Sequence, residues 1–202
     1  MDKTDHPKTQ DPRQKAILAA AFEVFRNYGF RRTTMEDIAQ AAGMSRAALY
    51  LHYRNKQDIF QSLVQVYFDT THAEVARILA RILARTLPVA DTLSAAFAAQ
   101  GGPIIQALLS SPHGAEFMDA KTLVSAEIVK TAEARLTGVY AAWLDREAAA
   151  GRVRLDGFGS ASACAETMLA ALTGMKTGAV DYAGYVAAVA RLAAMFGRAL
   201  EP

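Results

Sequence analysis

Behind a polar stretch of ten residues, Leu18, Ala21, Phe22 and Phe25 recur at helical spacing. Asp11-Pro12 supplies an N-cap followed by proline at the first helical position, and Gly29 suits the left-handed end of a helix. The pattern predicts a helix over 12–28, with residues 1–10 as a flexible tail. Thr34 stands three residues before Asp37, a pairing that resembles a capping box, and the short helix it opens runs through Ile38 and Ala39 to Ala42 before Gly43. Ser45 can cap a third short helix through Tyr53, and Asn55 a fourth from Lys56 to about residue 85.

Further along, breaks are expected at Pro88, at Gly101-Gly102-Pro103, over 110–114, at Gly151, over 157–160 and over 178–184. They divide the remainder into about five helices. The longest, over 119–150, places Val129, Ala132, Leu136, Val139, Tyr140, Trp143 and Leu144 at helical spacing. Another, from Ser160 to Lys176, carries Ala161, Ala165, Met168 and Leu172 on one side.

Composition agrees with an all-α fold. The 202 residues are 52% hydrophobic and 21% charged, about a fifth are alanine, and there are only 13 Gly and 6 Pro. This chain can bury a substantial core, which excludes disorder over most of its length. Its one cysteine, Cys164, cannot form an internal disulfide and reads as a small buried hydrophobe in an alanine-rich helix. No apolar run is long enough for a membrane span, and the polar N-terminus does not resemble a secretory signal, so a cytoplasmic location is expected. Residues 1–60 hold ten Lys and Arg against seven Asp and Glu, and residues 61–202 hold twelve against thirteen. The positive excess lies at the front, a mild hint of nucleic-acid binding.

Two short helices joined by a glycine turn outline a helix-turn-helix, in which the first helix braces the second against the DNA major groove. Met44, Leu49 and Tyr53 can point inward against Phe22, Phe25, Ile38 and Phe60, leaving 45–48 and 50–52 for the other face or its edges. The run Thr33-Thr34-Met35-Glu36-Asp37-Ile38-Ala39, then Ala42-Gly43-Met44-Ser45-Arg46-Ala47-Ala48-Leu49-Tyr50-Leu51-His52-Tyr53, then Asn55-Lys56 and Phe60, strongly resembles the N-terminal domain of the TetR family of bacterial transcriptional regulators. The likeness covers about residues 12–62. It implies a three-helix DNA-binding head at 11–58 and a larger helical regulatory and dimerisation domain at 59–202.

By this resemblance Ser45, Arg46, Ala47 and Leu51 face base edges. Arg46 is the side chain able to make a bidentate contact to guanine. Thr34, Tyr50, His52 and Lys56 match phosphate-contacting positions, which fix register without reading sequence. The resemblance also implies a homodimer that reads a palindromic operator on double-stranded DNA, built by pairing the two penultimate helices with their twins. Val129, Leu136, Tyr140, Ala161, Ala165, Met168 and Leu172 are the interface candidates.

A small-molecule effector pocket is implied beside the fourth helix. Candidate lining residues are Phe68, His72, Phe97, Ile104, Leu108, Phe117, Met118, Tyr140, Trp143, Met168 and Met175, whose scarcity of charge favours an apolar effector. Plain core packing is the competing reading for each of them. No metal or other cofactor is implied. The four histidines, at 6, 52, 72 and 113, lack metal-ligand spacing, and no phosphate loop or nucleophile elbow appears, so an enzyme is not expected. The function expected is therefore a ligand-responsive regulator, most simply a repressor released by its effector. The alternative is a helical interaction protein of the same fold without sequence-specific DNA binding.

Overall fold

The computed structural model describes residues 11–81, 87–119 and 126–202, except the side chains of residues 81, 102, 103, 118, 119 and 126. Nine helices and no strand occur among the described residues: α1 (Pro12–Tyr28), α2 (Met35–Ala41), α3 (Arg46–Tyr50), α4 (Lys56–Arg81), α5 (Val89–Leu109), α6 (Gly114–Asp119), α7 (Ala126–Ala149), α8 (Ala161–Gly178) and α9 (Tyr182–Ala199). The expected tail, 1–10, lies outside the described residues.

Most helix starts are set by side chains that satisfy otherwise unpaired N–H groups. Asp11 accepts from the N–H of Arg13 at 3.1 Å, Ser45 from Ala48 at 3.2 Å and Asn55 from Asp58 at 2.9 Å. Thr34 and Asp37 form a reciprocal capping box. Ser160 and Asp181 open α8 and α9 in the same way. Gly29 ends α1 with φ at +82°.

The helices enclose two apolar clusters. The first joins Ile17, Leu18, Ala21 and Phe25 of α1 to Ile38, Leu49, Tyr53, Ile59 and Phe60. The second gathers Val75 and Leu79 of α4, Phe97 of α5, Trp143 of α7, Met168 of α8 and Leu192 of α9 around Tyr140. Helix α4 contributes to both, its first turns to one and its last to the other.

The break expected at Gly101-Gly102-Pro103 is not there, because α5 runs unbroken through it. A Cβ built on Gly101 would lie 1.9 Å from the Tyr185 hydroxyl of α9, and one on Gly197 of α9 would lie 2.6 Å from the Ala90 Cβ of α5. The two glycines are notches that let α5 and α9 lie against each other, and this close packing offsets the helix-breaking tendency of the tripeptide. A packing notch and a helix stop are the same letter in a sequence.

We expect Gly101→Ala to cost about 1–2 kcal/mol, since over-packing of about 1–3 kcal/mol outweighs the gain of about 1 kcal/mol in helix propensity. Thermal or urea unfolding checks this, and a midpoint at or above that of the unsubstituted chain would contradict it.

Candidate nucleic-acid interface and the cavity behind it

Leu49 is fully buried and Tyr53 nearly so, and they anchor the turn of α3 in the first cluster. The hydroxyl of Tyr53 bonds Ser62, while burial pushes its ionisation upward. The opposite face is open: Ser45, Arg46, Ala47 and Tyr50 are exposed, and Leu51 stands 86% exposed. An apolar side chain this exposed gains nothing from packing within the chain. Arg46 reaches the Tyr50 hydroxyl at 3.4 Å, with its guanidinium 5.6 Å from that ring's centroid. The tyrosine thus props the arginine along the helix with most of its donors outward. His52 is half-buried at the helix end.

Besides Tyr50, two more of the expected phosphate contacts have partners within the chain. The Thr34 hydroxyl accepts from the Asp37 N–H at 3.2 Å and donates to Asp37 Oδ2 at 2.7 Å, and the Thr34 N–H donates to the same oxygen at 2.8 Å; the last two bonds hold the Asp37 carboxyl below its ordinary range. Lys56 Nζ lies 2.8 Å from the Phe30 carbonyl, 3.0 Å from that of Arg31 and 2.8 Å from that of Thr33, above the Phe30 ring. Its three protons match three carbonyls, so the ammonium ties the start of α4 to the loop before α2. Partial burial lowers its pKa, with Glu116 opposing. In the free chain the protons of the expected phosphate donor Lys56 are thus directed at protein carbonyls.

The same loop is gripped from the other side by α6. Glu116 Oε1 accepts the Arg31 N–H at 2.9 Å, and His113 Nδ1 lies 3.7 Å from Glu116 Oε2. The positive φ of Gly29 favours glycine, and its bare Cα also leaves room for that carboxylate to come close. Ser111 donates its hydroxyl to the carbonyl of Arg26. Phe117 meets Phe22 edge to face at 5.6 Å and Phe60 at 5.0 Å.

Those three phenylalanines also line one end of a cavity of about 910 Å³ enclosed by α4 to α8. Its walls are largely apolar, with Leu63, Val64, Phe68, Ile104, Leu108 and Leu169 among them. Polar groups enter from several sides: Tyr67 and Thr71 on α4, Gln100 on α5, Glu133 and Thr137 on α7, and Glu166, Thr173, Lys176 and Thr177 on α8. Of the expected lining residues, Phe68, Ile104, Leu108 and Phe117 are in place. Phe97, Tyr140, Trp143 and Met168 are instead sealed in the second core, and Met175 packs against it. His72 sits beside the Asp69–Arg135 ion pair, off the cavity, and burial lowers its pKa. The side chain of Met118 lies outside the described residues.

Sequence periodicity missed Lys176, Glu133 and Glu166, because a charged residue on a helix ordinarily reads as a solvated face. Burial pushes the Lys176 ammonium down to about 8, against attraction from Glu133. Their presence also corrects the expectation of a pocket short of charge.

The interface candidates fare differently. Leu136, Tyr140, Ala161, Ala165, Met168 and Leu172 are buried within this chain's own core, so they have no surface to offer a twin. Val129 lines the cavity. Cys164 is fully buried, and burial pushes its thiol up to about 11, as suits a packed hydrophobe.

The family model for "Bacterial regulatory proteins, tetR family" matches residues 17–63, the span from α1 into the first turns of α4. The chain carries a TetR-family N-terminal domain. The HTH-type transcriptional repressor BepR of Brucella suis is 45% identical over 51 residues, 25% of this chain and 24% of that protein. The chain therefore spans about a quarter of that relative's length in the matched segment. Across nearly the full chain the similarity is one of fold. The structure of SmeT, the repressor of the Stenotrophomonas maltophilia multidrug efflux pump SmeDEF, superposes with a TM-score of 0.68 at 21% identity, covering 94% of this chain and 90% of that one. A SmeT–triclosan complex superposes at 0.65 and 20% identity, covering 95% and 93%.

Because Lys56 serves the head's geometry, Lys56→Met is expected to cost about 1.5–3 kcal/mol, the worth of hydrogen bonds to a charged group. Unfolding in urea at neutral pH measures it. A variant as stable as the parent would show that the three carbonyls do not need the ammonium.

Proposed function

We propose that this protein is a transcriptional regulator, most simply a repressor, that binds a palindromic operator as a homodimer and answers to a small molecule held in the cavity. The observation that supports it best is the TetR-type match over residues 17–63, which takes in a surface where Arg46, Ala47, Tyr50 and Leu51 stand exposed and apart from the core. Ser45, Arg46, Ala47 and Leu51 read bases; Tyr50, Thr34 and His52 meet the backbone. A SmeT structure with triclosan bound supports a ligand in a protein of this fold.

Dimerisation on this reading uses what the core leaves free. On α8 the exposed residues Thr167, Ala170, Gly174 and Gly178 form a small-residue stripe, and on α9 Ala183, Ala187, Ala190 and Ala194 form another, with Val186 46% and Met195 67% exposed nearby. Small side chains allow two helix pairs to approach closely and close a four-helix bundle about a twofold axis.

The cavity communicates with the head through α6. Phe117 belongs to both, and Glu116 one residue earlier holds the Arg31 N–H, in the loop that Lys56 also holds. A ligand that displaces Phe117 shifts α6 and loosens that loop, so the head-to-head spacing no longer suits adjacent grooves. Such a switch requires that ligand affinity differ between the two arrangements.

Selection of duplexes from a random library with the purified protein is expected to enrich a palindrome. Arg46→Ala should then weaken binding to that site by about 1–3 kcal/mol and relax base preference at one position per half-site. Equal affinity of the unsubstituted protein for enriched and scrambled duplexes would overturn the reading. For the coupling, Glu116→Ala should speed hydrogen exchange over residues 29–34 while leaving α9 unchanged; unaltered protection there would remove α6 from the path.

A further inference from the structure

The cavity has one apolar and one polar end, and the polar end is rich in donors. Among the described residues, Lys176 Nζ reaches the Tyr67 hydroxyl and the Gln100 carbonyl, each at 3.5 Å, a long distance for an ammonium. That carbonyl already accepts the Tyr67 hydroxyl at 2.8 Å, and the Gln100 side-chain oxygen accepts from Tyr140 at 3.2 Å. No carboxylate among them comes within 4.0 Å of Lys176. A lysine ammonium has three protons and no lone pair, so two contacts at 3.5 Å leave it short of close acceptors, with Glu133 attracting it from beyond ion-pair distance.

The carboxylates that also line the cavity stand elsewhere in the solvent gradient. Glu133 and Glu166 are both exposed, and Glu166 accepts from the Ser162 hydroxyl at 3.1 Å. Water stabilises them at little cost, whereas a half-buried and poorly paired ammonium loses part of its hydration, a loss that an anion can recover. Toward the head the walls become Phe22, Phe60, Leu108 and Phe117.

We propose that the cavity takes an amphipathic carboxylic acid, its carboxylate on Lys176 and its hydrocarbon body directed toward Phe117. This rests on the effector reading above and names the chemical class of the ligand. It also sets a direction: the apolar end of the ligand arrives at the residue shared with the head, and the charged end stays at α8. The choice of a single anion over a cation follows from exposure and pairing: Lys176 is half-buried with two long contacts, whereas Glu133 and Glu166 are exposed to water.

The test is calorimetric titration of the full-length protein with decanoate, 1-decanol and decyltrimethylammonium, each below its aggregation concentration, alongside release of a selected duplex. Decanoate is expected to bind about tenfold or more tightly than decanol, the worth of a charge-assisted hydrogen bond. Lys176→Met should abolish that advantage while leaving decanol binding in place, which also shows that the variant is folded. The advantage should shrink as pH rises from about 7 to about 9, as the ammonium loses its proton. Equal binding of decanoate and decanol, with duplex released by both, would overturn the acid class and leave the effector reading standing. Preference for decyltrimethylammonium would overturn it in favour of Glu133 and Glu166 as the selecting groups. If none of the three binds or releases duplex, both the acid class and the effector role of the cavity fall, while DNA binding by the head, measured separately, is untouched.

Discussion

The contact on which the rest of the molecule depends is the seam of Phe22, Phe60 and Phe117. Two of these rings belong to helices of the N-terminal head and the third to α6, and all three face the cavity. A head packed only on itself would be a small three-helix unit with a modest core, which is marginal by size. Phe117 completes that core from outside, so the head cannot be indifferent to what happens in the cavity. Polar bonds add direction to this apolar contact: Glu116 grips the Arg31 N–H from one side and Lys56 grips the loop carbonyls from the other. The loop between α1 and α2, which sets where α2 and α3 stand, is thus held by one residue near the cavity and by one on the helix leaving the head.

Much of this order is legible in the sequence wherever the cause is local. Asp11-Pro12, Thr34 with Asp37, Ser45, Asn55 and Gly29 each mark a helix end by satisfying or releasing backbone groups within four residues. The exposed row on α3 follows from the burial of Leu49 and Tyr53 four residues apart. Where the cause is distant, the letters mislead. Gly101 looks like a stop until Tyr185, from another helix, is seen to need its space. Lys56 looks like a free cation until three carbonyls from the loop before α2 converge on it.

The second half shows a different limit. Helical periodicity tells which face of a helix turns inward, but this half has two interiors, a packed core and a cavity, and one period serves both. Phe97, Tyr140, Trp143 and Met168 belong to the first and Phe68, Ile104 and Leu108 to the second, with nothing in residue type to separate them. The same ambiguity led from the apolar stripe of α8 to a dimer face, when Ala161, Ala165, Met168 and Leu172 are the stripe that the chain itself consumes. What remains for a partner is the weaker pattern of small residues on the opposite side.

The central claim is that a DNA-reading surface and a ligand cavity share one aromatic seam. Its most direct test is amide-resolved nuclear magnetic resonance of the labelled full-length protein as the selected duplex is added. The account predicts the largest shifts at Thr34 and over residues 45–51, with a second group at Glu116 and Phe117, which touch no DNA. Shifts at α3 without any response at Glu116 and Phe117 would separate the head from the cavity, and shifts centred away from α3 would contradict the account at its base.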